Sequence, residues 1–417
     1  MSGHYKQKLE SLFAQCSKQQ NGASMVDSIE IFPKLGEALS TISRYKNIVI
    51  YSAGHIGVVM SDVIANIYPQ IKTHFTDAEP NKWVELHDGR ILPPDELAGV
   101  LRAEAEETLV LVAEPKYYSP RNTNYRKTLD KSFYDYGFKG AIDYDSHLAF
   151  FANAYHTIHA RSRRNYFAGH NERQQQASEV FTLLADDFSK EVYYEYFRYF
   201  ISNPVYRVST LDQKYAYFPL ELFSLCHDER VVDCGAFTGD TFLEFLKLSG
   251  GEFGSYDAFE LSDKNYMSMS ENIERFPGSI SQKVRLHNAG VGAASGAATF
   301  NEAGSMSRIG EGAGETVKMV ALDDVIYEYK PTLIKMDIEG SEMEALEGAQ
   351  KIIKNHKPIL SICLYHKPQD LINIPLLIKK SYPDYSLYVR KYSGLYQDFD
   401  FFDLILYAAP PERTKMN

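Results

Sequence analysis

Eleven residues constrain this chain more than any others: Val231-Val232-Asp233-Cys234-Gly235-Ala236-Phe237-Thr238-Gly239-Asp240-Thr241. An apolar run ends in an acid, small residues bracket a short loop, and Thr241 opens a segment whose Phe242, Leu243, Phe245 and Leu246 recur at helical spacing. This reads as a buried parallel strand turning sharply into a helix, with glycines where a ligand must approach the backbone. A phosphate site of this shape would want backbone N–H groups and a Lys, whereas Asp233 offers negative charge to a cationic ligand.

The same strand–loop–helix alternation runs through most of the 417 residues, a length that favours more than one domain. Asn47 to Tyr51 leads into Ser52-Ala53-Gly54-His55-Ile56-Gly57 and a helical run, a second strand ends near Asp77, and Thr108 to Ala113 is a further buried strand. From about 125 to 225 the pattern changes, and Val180, Phe181, Leu184, Phe188, Val192, Tyr196, Phe197 and Phe200 give helical periodicity over 176–200. From 229 strands are expected at 229–234, 256–260, 283–288, 331–337 and 358–364, with an antiparallel pair at 384–391 and 401–408. The expected fold is α/β: a Rossmann-like unit over 1–125 with a helical lead-in, a helical connector over 126–225, and a second doubly wound unit over 226–410.

Composition narrows the function classes. A net charge of −11 argues against gripping nucleic acid or anionic membrane through bulk electrostatics. Four widely spaced cysteines give neither a disulfide framework nor a zinc pattern. With a polar start and no apolar run of membrane-span length, a soluble cytoplasmic protein is expected.

Three further stations carry chemistry. Glu260 ends the strand Tyr256-Asp257-Ala258-Phe259-Glu260-Leu261, where an acid can accept both hydroxyls of a ribose. His287-Asn288-Ala289-Gly290-Val291-Gly292 follows the next strand and lets a flat ring approach small residues. In Leu333-Ile334-Lys335-Met336-Asp337-Ile338-Glu339-Gly340-Ser341-Glu342-Met343-Glu344, Lys335 and Asp337 alternate with apolar residues and share a face near the strand's carboxyl end. Ser341 and Glu344 are spaced as a capping box, which also accounts for Glu342 but not for Lys335 or Asp337.

The glycine loop is similar to the first motif of class I methyltransferases, with Phe237 in place of the middle glycine. Together with the Lys335–Glu342 run and the strand ending Leu364-Tyr365-His366-Lys367, residues 229–408 resemble the FkbM family of S-adenosylmethionine-dependent methyltransferases. The resemblance implies a class I sheet of seven mixed strands, S-adenosyl-L-methionine as cofactor, and O-methylation of a hydroxyl on a small-molecule or carbohydrate acceptor. The cofactor set is then Asp233, Gly235, Ala236, Gly239, Asp240, Thr241, Glu260, Leu261, Asn288 and Ala289. The catalytic set is His366 as base, with Asp337, Glu339 and Lys335. No metal is required by the spacing. Gly54, Gly57 and Asp77 mark a second, nucleotide-like ligand site. The alternatives are an NAD-dependent oxidoreductase or epimerase working through the N-terminal unit, and a non-catalytic nucleotide-binding scaffold.

Overall fold

The computed structural model describes residues 2–16, 33–51, 55–77, 91–113, 138, 150, 163–201, 216–301, 308–309, 315–392 and 404–415. After helix α1 (Ser2–Cys16), the N-terminal unit runs α2 (Pro33–Ile42), β1 (Asn47–Tyr51), α3 (His55–Ile67), β2 (Lys72–Thr76), α4 (Pro94–Leu101) and β3 (Thr108–Val112). Its three strands form an all-parallel sheet in the order β2-β1-β3. The two-residue period of β1 decides which helix covers which face. Ile48 and Ile50 pack with Leu39, Ile42, Met60 and Ile64 from α2 and α3, whereas Val49 packs with Leu97 and Leu101 of α4. Gly54 lies outside the described residues; Gly57 is buried in α3 and Asp77 directly follows β2.

Farther along the chain come α5 (Asn171–Leu183) and α6 (Asp187–Ile201). The continuous periodicity expected over 176–200 is thus broken, and the cause is local. Asp186 Oδ1 accepts the Ser189 N–H at 2.6 Å, an N-cap contact that restarts the helix.

The C-terminal unit contains β4 (Arg230–Cys234), α7 (Asp240–Ser249), β5 (Ser255–Glu260), α8 (Asp263–Glu274) and β6 (Val284–Asn288). A small sheet of β7 (Gly290–Val291), β8 (Gly296–Asn301), β9 (Arg308–Ile309) and β10 (Glu315–Val320) comes next, in the order β7-β10-β8-β9. The chain closes with β11 (Leu333–Met336), α9 (Glu342–Glu347), α10 (Gln350–His356), β12 (Ile359–Cys363), α11 (Asp370–Ser381), β13 (Ser386–Lys391) and β14 (Leu404–Ala409). Seven strands form the main sheet in the order β13-β14-β12-β11-β4-β5-β6. Six run in one direction, and β14 runs antiparallel to them between β12 and β13. Each strand expected from residue 229 onward is present within a few residues; the small sheet was not expected.

Both faces of the main sheet are apolar, as a parallel sheet requires. Val231, Leu333 and Ile359 pack with Phe242, Phe245 and Tyr256 on one side. Val232, Ile334, Leu360 and Val389 face the other side with Phe181, Val192 and Phe197 of α5 and α6, and with Leu9, Leu12 and Phe13 of α1. The edge strand β13 is covered: Ala185 N–H donates to Leu387 O at 2.8 Å, and Val389 N–H donates to Ser189 Oγ at 2.9 Å. Buried Arg390 fixes this cover by donating to Asp186 Oδ2 at 2.6 Å and Ser189 Oγ at 2.7 Å. Its other acidic neighbour, Glu221, is 3.5 Å away.

Removing one partner of a buried pair strands the other charge. Asp186→Ala is therefore expected to lower unfolding stability by about 3–5 kcal/mol, read from urea midpoints. A loss of only about 0.2–1 kcal/mol, the range of an exposed pair, would show that the clamp is dispensable.

Candidate active site

The carboxyl ends of β4, β5 and β11 open onto a cavity of about 870 Å³. This edge is where an open α/β sheet binds ligands, because its loops diverge there. Of the expected cofactor residues, Gly235, Asp240, Thr241, Glu260, Leu261 and Ala289 line the cavity. Lys335, Asp337, Glu339 and His366 line it as well, although they are separated by up to 31 positions in sequence (366 − 335).

Asp233, Ala236, Gly239 and Asn288 lie outside that lining, and each has a structural reason. Asp233 is fully buried, with Tyr256 donating to its Oδ2 at 2.6 Å and the Lys335 ammonium 2.9 Å from its Oδ1. Register explains the meeting, since Lys335 and Asp233 are direct partners across β11 and β4. Asp233 thus spends its charge inside the sheet and does not present it to a ligand. Lys335 is committed in the same way: it also donates to Gly235 O at 2.6 Å, and Asp233 and Asp337 raise its pKa against the opposing effect of burial. Expected as a catalytic residue, it is the counter-ion that anchors the glycine loop. Ala236 is buried in the core beside Phe242, and Gly239 takes a left-handed φ of 91° against Met269. Asn288 turns outward to donate to Asp263 Oδ1 at 2.5 Å.

The loop admits no other residue at 235. Gly235 has φ 82°, and a Cβ there would sit 1.9 Å from the Asp337 carbonyl oxygen. At 237 the backbone keeps a left-handed conformation, φ 48°, although the residue is Phe. The ring is 55% exposed at the cavity wall, and the Phe237 N–H donates to Glu260 Oε2 at 2.9 Å. Glu260 Oε1 accepts the Ser262 N–H at 2.8 Å, so one carboxylate joins the two loops that frame the cavity. Burial pushes its pKa up, opposed by the N–H groups of Ser262 and Phe237.

At the other end, two phenols hold one carboxylate. Tyr217 donates to Asp337 Oδ2 at 2.8 Å, and Tyr365 donates to Oδ1 at 3.0 Å. Burial pushes the Asp337 carboxyl up, but Lys335, His366 and these hydrogen bonds outweigh it and hold it below its ordinary value. His366 Nε2 lies 3.4 Å from Asp337 Oδ1 and 3.7 Å from Glu339 Oε2. Its Nδ1 is 2.9 Å from Glu342 Oε1. Glu339 and Gly340, with φ 55° and 97°, make the left-handed turn that brings Glu342 back under the loop.

Glu342 and Tyr217 are the residues that sequence reasoning underrated. The capping box expected at Ser341 and Glu344 does not form, because Ser341 makes no side-chain cap bond. Glu342, fully buried, instead accepts the Ile338 and Gly340 N–H groups at 3.0 and 3.4 Å as well as facing His366. Its spacing from Ser341 suggested a helix start and concealed a partner 24 residues on (366 − 342). Tyr217 lies outside every motif named above, and its contact with Asp337 spans 120 positions.

The acidic surroundings also alter His366. Burial lowers its pKa, but Glu342, Asp337 and Glu339 more than reverse this and bring it to about 9. At neutral pH it is therefore an imidazolium, not the free base that an ordinary value of 6.5 would make it. A folded pKa above the ordinary one adds stability that is fully present below about pH 6.5 and lost as pH rises through about 9. The contribution is at most ~3 kcal/mol. Thermal melts of the native chain and His366→Gln should differ most at low pH, with the gap closing through that window. A gap independent of pH would show an uncharged imidazole.

Among the described residues, no group of three or more His, Cys, Asp or Glu is arranged to hold a metal ion, and no helix is long and apolar enough to cross a membrane. Residues 233–406 match the family model described as the methyltransferase FkbM domain. A solved FkbM methyltransferase from Methylobacillus flagellatus KT, 20% identical, shares the fold over 96% of this chain and 98% of its own, with a TM-score of 0.55. Two other solved structures are similar over less of the chain. Precorrin-6y C5,15-methyltransferase from Geobacter metallireducens GS-15 is 16% identical over 44% of this chain and 80% of its own, at a TM-score of 0.27. Fibrillarin from Aeropyrum pernix is 10% identical over 46% and 73%, at 0.29. No curated protein matches the chain. The segment that carries the glycine loop, Glu260 and the Asp337–His366 cluster, residues 233–406, is a methyltransferase domain of the FkbM family.

Proposed function

We propose that the protein transfers a methyl group from S-adenosylmethionine to a hydroxyl of a small-molecule or carbohydrate acceptor. The observation that carries this reading is the chemistry of the cavity wall. Asp240, Glu260, Asp337 and Glu339 line it, against the ammonium groups of Lys335 and Lys367, and that of Lys335 is already paired with Asp233. An acceptor-rich wall suits a ligand that bears an ammonium and a sulfonium, and disfavours a pyrophosphate. An NAD-dependent oxidoreductase is not favoured, because the cavity belongs to the C-terminal sheet and its loop presents acids where a dinucleotide needs anion donors.

Glu260 would hold the ribose hydroxyls, with Gly235, Leu261 and Ala289 lining the way to it. S-adenosylmethionine, when bound, supplies a methyl carbon on a sulfonium, and the acceptor oxygen must shed its proton as it bonds to that carbon. His366 Nε2 faces the cavity beside Asp337 and is placed to take that proton once it has lost its own. Tyr217 and Tyr365 keep the Asp337 carboxylate fixed during the exchange, which supports alignment of the acceptor. The buried thiols Cys234 and Cys363 support a reducing, cytoplasmic setting. A nucleotide-like ligand on the N-terminal unit remains a proposal carried by Gly57 and Asp77 alone.

Calorimetric titration with S-adenosylmethionine and S-adenosylhomocysteine tests the reading, followed by mass detection of a one-methylene gain in a metabolite extract. Glu260→Ala should weaken cofactor binding by about 10- to 150-fold through loss of charge-assisted contacts of about 1.5–3 kcal/mol. Equal affinity in the variant would remove Glu260 from the site. His366→Ala should slow single-turnover transfer by roughly 10²–10⁴-fold. The native rate should rise with pH toward about 9, the value to which the acidic neighbours bring His366. A flat pH profile with full turnover in His366→Ala would make the histidine structural.

A further inference from the structure

We propose that Glu342 is a positioning residue that keeps the Nδ1 proton of His366 in place, so that Nε2 alone exchanges protons with the cavity. Three observations converge. Glu342 is fully buried, and its Oε1 faces His366 Nδ1 at 2.9 Å while accepting two loop N–H groups, those of Ile338 and Gly340. An oxygen already accepting from two backbone donors is an ionised or carbonyl oxygen, so the proton of the third contact belongs to Nδ1. Its second oxygen, Oε2, is buried with no hydrogen-bond partner among the described residues. Beyond the two loop N–H groups, the imidazole is the hydrogen-bonding partner that Glu342 has among the described residues.

Geometry at the opposite ring nitrogen completes the argument. Nε2 lies 3.4 Å from Asp337 Oδ1 and 3.7 Å from Glu339 Oε2, both on the cavity wall. A histidine whose one nitrogen is fixed by a carboxylate presents the other in a defined tautomer and orientation. In the neutral state Nε2 is an unprotonated acceptor. On taking a proton it becomes a donor to Asp337, and the Nδ1 proton does not move. The charged groups around the ring come from every packed element: Asp337 and Glu339 after β11, Glu342 on α9, Lys367 in the same loop, and Asp370 opening α11. Asp370 is itself pushed up to about 7 by burial and by Glu342, which keeps it from competing fully for the imidazole's charge.

The methyltransferase reading enters only in what the proton exchange serves; the arrangement itself needs neither cofactor nor acceptor. The test is ¹⁵N NMR of the full chain with labelled histidine, His366 assigned by its loss in His366→Gln, across the pH range through about 9. In the native protein the Nδ1 resonance should stay that of a protonated nitrogen throughout, while Nε2 alone titrates. Glu342→Gln retains an acceptor but loses the charge, so His366 should release its proton at least tenfold more readily, a shift of about one pH unit. Glu342→Asp should restore part of that shift. A neutral native imidazole carrying its proton on Nε2, or a titration unmoved in Glu342→Gln, would overturn the assignment. The native measurement decides the matter even where a variant fails to fold. S-adenosylhomocysteine titration of the native chain separately reports whether the methyltransferase reading holds.

Discussion

The geometry of the cavity depends on one buried ion pair. Lys335 and Asp233 occupy matching positions on adjacent parallel strands, and the ammonium reaches past the carboxylate to the Gly235 carbonyl. Two charges inside a sheet are tolerable only when each satisfies the other and its remaining hydrogen-bonding capacity is used. Tyr256 uses the second oxygen of Asp233, and the ring of Tyr217 lies 5.0 Å from the ammonium. Removing either member would strand the other in the core. The pair is therefore better read as the mount for the loop than as part of the reacting chemistry. From that mount follow the tight approach of Gly235 to the Asp337 carbonyl and the side-by-side placement of the loops after β4 and β11.

A second feature separates the two ends of the cavity. At the Glu260 end, the carboxylate is engaged by backbone N–H groups, so its position is set by the chain path of the loops. At the Asp337 end, side chains hold side chains: two phenols on one carboxylate, and one imidazole between Glu342 and the Asp337–Glu339 pair. Backbone anchoring suits recognition of a constant ligand, and a side-chain network suits a site whose proton inventory must change.

Much of this was legible in the sequence because buried parallel strands announce themselves. Val231 to Cys234, Leu333 to Met336 and Ile359 to Cys363 are short, mainly apolar runs, each interrupted by one polar residue: Asp233, Lys335 and Ser361. The small sheet left no such trace, since Gly290–Val291 and Gly296–Asn301 are short and rich in glycine and alanine. Partnerships across the chain were hidden for a different reason. Asp233 looked like a ligand for a cation because its partner, Lys335, lies 102 positions later (335 − 233), and nothing in spacing reveals register between strands. His366 looked like a near-neutral base because its three carboxylate neighbours come together only in the fold. Glu342 was absorbed by a local motif that the structure does not use.

Tyr217 precedes the segment recognisable as the FkbM domain, yet it walls the cavity and holds Asp337. Its placement is enforced on several sides: Ser361 Oγ donates to the Tyr217 carbonyl at 2.9 Å, the Tyr407 hydroxyl donates to the Ala216 carbonyl, and Phe218 is buried against Phe245. The unit of chemistry is consequently longer than the unit of sequence likeness. A fragment cut where the likeness begins would carry the glycine loop and the histidine but leave one carboxylate oxygen bare and one wall open to water. Grafting or truncation in chains of this kind should therefore follow the aromatic strap rather than the first motif.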